Sequence, residues 1–387
     1  MSGGRGWDLL VEGCTTVAAP GTDAELLARV VAWAVRPRRS LEAIRRSCRD
    51  AGATLLRAET AAIRDVVADH VDADDAAAAT PLVQMWAAAG VRAALVGDAT
   101  YPVRLAEGWP ETDGPTLLAW RGAAVPDVPT VAIVGARRAT GYGTAVAAWL
   151  SEAAAAAGAH VVSGGAVGVD AAAHAAAVEL PGGTTVVLGC GHGVAYPRPH
   201  ARPGGLFDRV IDHGGTLASE LLPQEPPHAG QVRARNRIVA GLADVVVVVE
   251  GGERSGALLT AGAAAERGRT VLAVPGDVRA DGSVAPHRLL SEGVAPCTGP
   301  PDLLQALGGP RRGETVARGV AAGGLSTLPD DVHALLAARW PRPVRIDELA
   351  RTTARAVGPL LAAVTRARVA GELADGPEGV RLRRAPG

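Results

Sequence analysis

The chain has no lysine: all 39 of its basic residues are arginine. Aromatic side chains are scarce, at 3% of 387 residues, while alanine and glycine are abundant. Alanine-rich runs are therefore weak evidence for helix in this chain. An excess of charge of one sign is also missing, because the net charge is −1. That excludes a protein that coats duplex DNA by bulk charge, but it leaves room for a local basic site. The four cysteines (Cys14, Cys48, Cys190, Cys297) are scattered with no CxxC pair. Reduced, partly buried thiols are expected, not a disulfide or zinc framework. The nine histidines show no HExxH or paired-ligand spacing, so no metal and no cofactor is expected. His192 and His200 flank a loop and read as solvated. The N-terminus, MSGGRGWDLLVEGC, does not carry the basic start and long apolar run of a signal peptide. No run of about 20 apolar residues occurs, so no membrane span is expected and the cytoplasm is the expected location.

What is present divides the chain. A hydrophobic fraction of 48% is ample for a core, and the length implies two or three domains. Residues up to about 95 read as helical: Leu26, Leu27, Val30, Val31 and Trp33 recur near helical spacing, as do Leu41, Ile44 and Cys48. Val71–Ala79, acidic and alanine-rich, reads as a surface loop or helix end. From Val131 short apolar runs alternate with helical segments. The runs are Thr130–Val134, His160–Ser163, Thr184–Leu188, Thr216–Glu220, Val245–Glu250 and Thr270–Val274. The helical segments are Thr144–Ala157, Val169–Glu179, Val232–Leu242 and Ala257–Arg267. This alternation predicts an α/β domain: a Rossmann-like, mostly parallel sheet with helices on both faces. Gly308–Gly324, rich in Gly and Arg, reads as a linker. Beyond it, Val332–Ala338, Ile346–Ala350 and Val357–Ala367 read as three helices. Glu372–Ala374 and Val380–Arg383 read as a two-stranded wing turning at Gly376–Gly379, a winged-helix pattern. The expected divisions are a helical N-terminal module over 1–89, the sheet domain over 90–307, a linker over 308–327 and the winged helix over 328–387.

Ligands of open parallel sheets bind at the carboxyl ends of the strands, and four glycine turns fall there. The first is Gly135-Ala136-Arg137-Arg138-Ala139-Thr140-Gly141-Tyr142-Gly143. Glycines admit phosphate to backbone N–H groups, and the following helix adds positive potential. Arg137 can fork onto a phosphate. Arg137 stands where the dinucleotide motif GxGxxG needs its second glycine, so an NAD enzyme is disfavoured. The second turn is Ser163-Gly164-Gly165-Ala166-Val167-Gly168-Val169-Asp170. Asp170 is either a first-turn helix residue or a ligand contact. The third is Gly189-Cys190-Gly191-His192-Gly193, followed by Tyr196-Pro197. The fourth is Gly251-Gly252-Glu253-Arg254-Ser255-Gly256-Ala257-Leu258-Leu259-Thr260. Between the third and fourth lie Arg233, Arg235, Asn236 and Arg237. Beside glycine turns in a neutral chain, this cluster reads as phosphate-binding in preference to a solvated face. The candidate contacts are Gly135, Arg137, Thr140, Tyr142, Gly143, Ser163, Gly164, Gly168, Asp170, Arg233, Arg235, Asn236, Arg237, Ser255, Gly256 and Thr260.

The ordered blocks VAIVGARRATGYG, SGGAVGVDAAAH, LGCGHGVAYPRPH, SELLPQEPP, RNRIVAGLAD, VVEGGERSGALLTAGAA and VPGDVRADGSVAPHRLLSEGVAP resemble the DprA/Smf family of DNA-processing proteins. The lead-in segments Thr100–Leu105 and Leu117–Gly122 match as well. The resemblance runs from about Gly90 to Leu307. It implies a single-stranded DNA-binding protein that is not an enzyme. Such a protein protects incoming strands in natural transformation, loads a RecA-type recombinase and works as a homodimer. The family's flanking modules are a SAM-like or degenerate helix-hairpin-helix domain and a winged helix. The arginine of the family's GSR motif falls on Arg137, and its RNR block on Arg235, Asn236 and Arg237. Two positions depart from the pattern. Ala136 replaces the GSR serine, and Val232 stands where many members carry an aromatic able to stack on a base.

Two other functions fit parts of the chain. A nucleotide phosphoribohydrolase of the Lonely-Guy type uses a similar sheet, but its PGGxGTxxE motif is absent. The catalytic carboxylate would have to be Glu220 or Asp170, neither paired with a second acid–base group. A transcription factor would read duplex DNA with residues 328–387, which hold ten Arg against seven acidic residues.

Overall fold

The computed structural model describes residues 3–35, 63–64, 67, 71–106, 114–308, 328–339, 343–355, 360–361, 363–365, 367, 373–376 and 379–382. Met1–Leu307 form one compact unit and Gly308–Gly387 a second.

The first unit is built on nine strands: β1 (Val91–Leu95), β2 (Leu117–Gly122), β3 (Thr130–Val134), β4 (His160–Ser163), β5 (Thr184–Val187), β6 (Thr216–Ser219), β7 (Val245–Val248), β8 (Thr270–Ala273) and β9 (Ala295–Pro296). Their order is β1-β2-β6-β5-β4-β3-β7-β8-β9. The seven strands from β6 to β9 run parallel. β2 is antiparallel to β1 and to β6. Every residue of β3 to β7 is buried, as the unbroken apolar runs require of strands covered on both faces. Alternate residues feed different cores. Ala132, Val134, Val246 and Val248 pack on one face, and Val131, Ile133, Val245 and Val247 on the other.

The N-terminal helices share the first of these cores. Leu10, Leu26, Leu27, Val31, Val83 and Trp86 are in the cluster that includes Ala132 and Val248. Ala18 also bridges to Ala93 of β1. The segment expected as a separate module thus packs onto the sheet within one unit. Asp72 caps the helix Ala73–Ala88 in a reciprocal capping box with Asp75, so the acidic stretch expected as a loop or helix end is the start of a 16-residue helix. The sequence reading also missed β1 and β2, which lie outside the strand–helix alternation. Leu41, Ile44 and Cys48, and the linker beyond Gly308, fall outside the described residues.

The chain order places a switch point between β3 and β7: β4, β5 and β6 extend the sheet on one side of β3, and β7, β8 and β9 on the other. The segment Val232–Leu242, expected as one helix, is two, Ala229–Ala234 and Asn236–Leu242. Arg235 sits at the junction.

The second unit contains the helices Asp330–Arg339 and Ile346–Thr352. β10 (Leu373–Gly376) and β11 (Gly379–Leu382) form an antiparallel pair. Leu360 and Leu361 are helical, as are residues 363–365 and 367. Leu336, Leu349, Val364 and Val380 close a small core of this unit.

Candidate functional site

The first and second glycine turns touch. Gly168 has φ +89°, and a Cβ there would overlap the carbonyl oxygens of Ala136 and Arg137. Only glycine serves at this position, because the backbone is left-handed and the approach is close. Val169 then donates its amide to Ala136 O at 3.2 Å. This contact joins the turn after β3, which carries Arg137, to the start of the helix after β4, which carries Asp170.

A recess opens at this point. Arg137, Gly164, Gly165, Leu188, Tyr196, Val232 and Arg235 are among its walls. Arg137 is exposed at the recess, and its guanidinium donates to Tyr196 OH at 3.5 Å. Arg235 is only 6% exposed. Its guanidinium fills the space where a Cβ on Gly164 would stand. Its Nε is buried and has no hydrogen-bond partner among the described residues. Burial holds Arg235 below the usual guanidinium range, and the nearby Asp170 carboxylate counters that effect. Conversely, burial pushes the Asp170 carboxyl up, and Arg235 draws it back down. A buried N–H without an acceptor is costly.

The switch-point crevice is filled differently. Glu250, following β7, is 5% exposed. Its carboxylate accepts the Thr140 amide at 2.9 Å and the Thr140 hydroxyl at 2.5 Å. Thr140 Oγ in turn caps the helix Gly141–Ala156 by accepting the Gly143 amide at 3.1 Å. A Cβ on Gly143 would collide with the Glu250 carboxylate. In a dinucleotide-binding sheet a pyrophosphate occupies this helix N-terminus. Here the chain supplies its own anion, and Thr140 and Gly143 serve Glu250.

The remaining candidates divide in the same way. Arg237, expected among the phosphate contacts, is not among the residues that line the recess. It forks onto Glu220 with two 2.6 Å bonds, and both side chains are largely buried. Asn236 donates to Gly256 O at 3.1 Å. Ser163 is buried and donates to Ile133 O at 2.6 Å. Ser255 caps its helix by accepting the Ala257 amide, and Thr260 donates to Gly256 O at 3.4 Å. Gly135 gives room to Val169 and the Glu250 carbonyl. Tyr142 is half exposed and donates to Pro275 O at 2.7 Å. Arg233 is exposed on the helix beside the recess. Of the sixteen candidates, Arg137, Gly164 and Arg235 are among the residues that line the recess. Glu250 was missed, although an acidic residue following an unbroken run of valines marks it. Among the described residues no cluster of three or more His, Cys, Asp or Glu could hold a metal. No described helix is long and apolar enough to cross a membrane.

Fold and recess together define a mostly parallel α/β sheet protein with two arginines in a recess at its strand ends and a buried glutamate at its switch point. Residues 92–308 match the family described as DNA recombination-mediator protein A, and the chain belongs to that family. It is 40% identical over 235 residues to the putative DNA processing protein DprA of Mycobacterium tuberculosis, covering 59% of each chain. To the protein Smf of Escherichia coli it is 40% identical over 177 residues, 46% of each chain. These matches span about half the length of the two relatives. The crystal structure of DNA processing protein A from Streptococcus pneumoniae superposes with a TM-score of 0.56 at 28% identity. That superposition covers 72% of this chain and 96% of the other.

Proposed function

We propose that this chain binds single-stranded DNA non-enzymatically, by seating backbone phosphate against Arg235 and Arg137. It would thereby protect incoming strands and load a RecA-type recombinase in the cytoplasm. One observation carries this reading: Arg235 is buried, lacks a partner for its Nε, and lines an open recess beside a second arginine. Arginine forks hold phosphate without reading sequence, and a single strand can turn a phosphate into a recess. Val232 supplies an aliphatic wall in place of an aromatic platform, so affinity rests on phosphate contacts more than on stacking.

The supporting modules are read in the same terms. The helices and two-stranded ribbon of the second unit support a winged helix over 328–387 that engages DNA or a partner. The N-terminal helices over 1–89 act as a buttress of the sheet domain, and the working form is a homodimer. The hydrolase alternative is disfavoured by Glu220: both its oxygens accept Arg237, which leaves no free base at that position. A mobility shift with single- and double-stranded oligonucleotides at two salt concentrations tests the reading. Tighter binding of the single strand that weakens with salt is expected. Equal affinity for duplex, or indifference to salt, refutes it.

A further inference from the structure

Three of the side chains that line the recess are polar: Arg137, Tyr196 and Arg235. Tyr196 carries the one hydroxyl among them. Its ring is half-buried and packs on the cluster that holds Leu188, Cys190 and Phe207. The ring is thus anchored from the core side, and a tyrosine has only two side-chain torsions to order. The phenol oxygen accepts Arg137 Nη1 at 3.5 Å, the long end of a hydrogen bond. Among the described residues Arg137 makes no ion pair and no other side-chain hydrogen bond. Tyr196 is therefore the group that tethers this exposed cation at the recess. The proton of the same hydroxyl has no acceptor among the described residues.

We infer that Tyr196 is a third phosphate contact of the recess: its hydroxyl accepts from Arg137 and donates its proton to the phosphate that Arg137 and Arg235 bind. The inference rests on the reading of the recess as a phosphate site. A tyrosine hydroxyl makes both bonds at once, because it is a donor and an acceptor. A bond to an ionised acceptor is also stronger than one between neutral groups. The walls formed by Gly164, Gly165, Leu188, Pro197 and Val232 offer no side-chain donor, so the proton of Tyr196 is the neutral donor that the side chains place there. Two other roles predict different behaviour. A ring that stacks on a base works without its hydroxyl. A hydroxyl that only tethers Arg137 has no effect once Arg137 is gone.

The test is a double-mutant cycle with a fluorescent oligothymidylate and the full chain: wild type, Tyr196→Phe, Arg137→Ala and the double variant, each checked by thermal melting. Tyr196→Phe keeps the ring and its packing, and the hydroxyl it removes holds no core group, so the fold is retained. Binding is expected to weaken about tenfold, the loss of one hydrogen bond to a charged acceptor. The slope of log affinity against log salt should stay at the wild-type value, because a neutral donor releases no counterion. Arg137→Ala should make that slope shallower by about 0.7. In the Arg137→Ala background the loss of the hydroxyl should still weaken binding at least about threefold. Tyr196→Phe that binds as wild type does overturns the inference and leaves the ring, if anything, as the contact. A loss that vanishes in the Arg137→Ala background, or a slope as shallow as that of Arg137→Ala, overturns it too and leaves Tyr196 a tether. Arg137→Ala and Arg235→Ala that both bind as wild type does would instead sink the phosphate reading itself.

Discussion

Replacing Glu250 by alanine tests the closed crevice quantitatively. The substitution removes the acceptor of the Thr140 amide and hydroxyl, at 2.9 and 2.5 Å. Hydrogen bonds to a charged group are worth about 1.5–3 kcal/mol each. A carboxylate at a helix N-terminus adds about 0.3–1 kcal/mol. The Thr140 hydroxyl rotates and the amide lies near the surface, so part of this is recovered from water. A net destabilisation of about 3 kcal/mol follows. Glu250→Gln keeps one acceptor oxygen and the shape, and should cost about half as much. Thr140→Ala should cost about 1 kcal/mol as a lost cap. Urea titration followed by circular dichroism measures all three. Single-strand affinity of the folded variants should stay within about threefold of wild type, a change below 1 kcal/mol. A stable Glu250→Ala protein, changed by less than about 0.5 kcal/mol, would refute the view that this carboxylate closes the crevice.

Three further outcomes follow from the geometry. Arg237→Ala strands Glu220 in a largely buried site and should destabilise the fold by about 3 kcal/mol. Single-strand affinity should change little at a temperature where the variant is folded. A large loss of affinity would instead place Arg237 on the strand. Gly164→Ala puts a methyl group in the space of the Arg235 guanidinium. Anisotropy titration should show about a tenfold loss of affinity, with a modest fall in stability of about 1–3 kcal/mol. His160 and His174 are buried and neutral, drawn down by burial to about 4 and about 3. Each takes up a proton on unfolding below about pH 6.5. Their stabilising contribution is therefore complete above pH 6.5 and is lost as the pH falls toward 4. At pH 5 the loss is about 2 kcal/mol for each ring. Melting temperature should fall between pH 7.5 and 5, and a flat profile would contradict this.

The parallel sheet was legible because its strands are buried on both faces and so run as unbroken apolar stretches, with Val245–Val248 the plainest. β1 and β2 were not, because they pair antiparallel at one end of the sheet, and the helix described between them, Val103–Ala106, is a single turn too short to set the rhythm. The Asp72 capping box was hidden inside an acidic run whose charge suggested solvent. At the site, the glycine turns and Arg137 were visible as motifs. Spacing alone could not tell which of three neighbouring arginines turns inward. That depends on the helix break at Arg235, which frees its side chain to lie on Gly164, while Arg237, half a turn further, meets Glu220. The role of Thr140 was likewise decided by a residue more than a hundred positions away. A sequence window cannot carry such a partner.

The central claim is that Arg235 is the cation that receives a strand phosphate. The salt dependence of single-strand binding, compared between wild type and Arg235→Ala, addresses it most directly. Removing one phosphate contact should lower affinity about tenfold or more and make the slope of log affinity against log salt shallower by about 0.7. An Arg235→Ala protein with the wild-type slope and affinity would contradict the account.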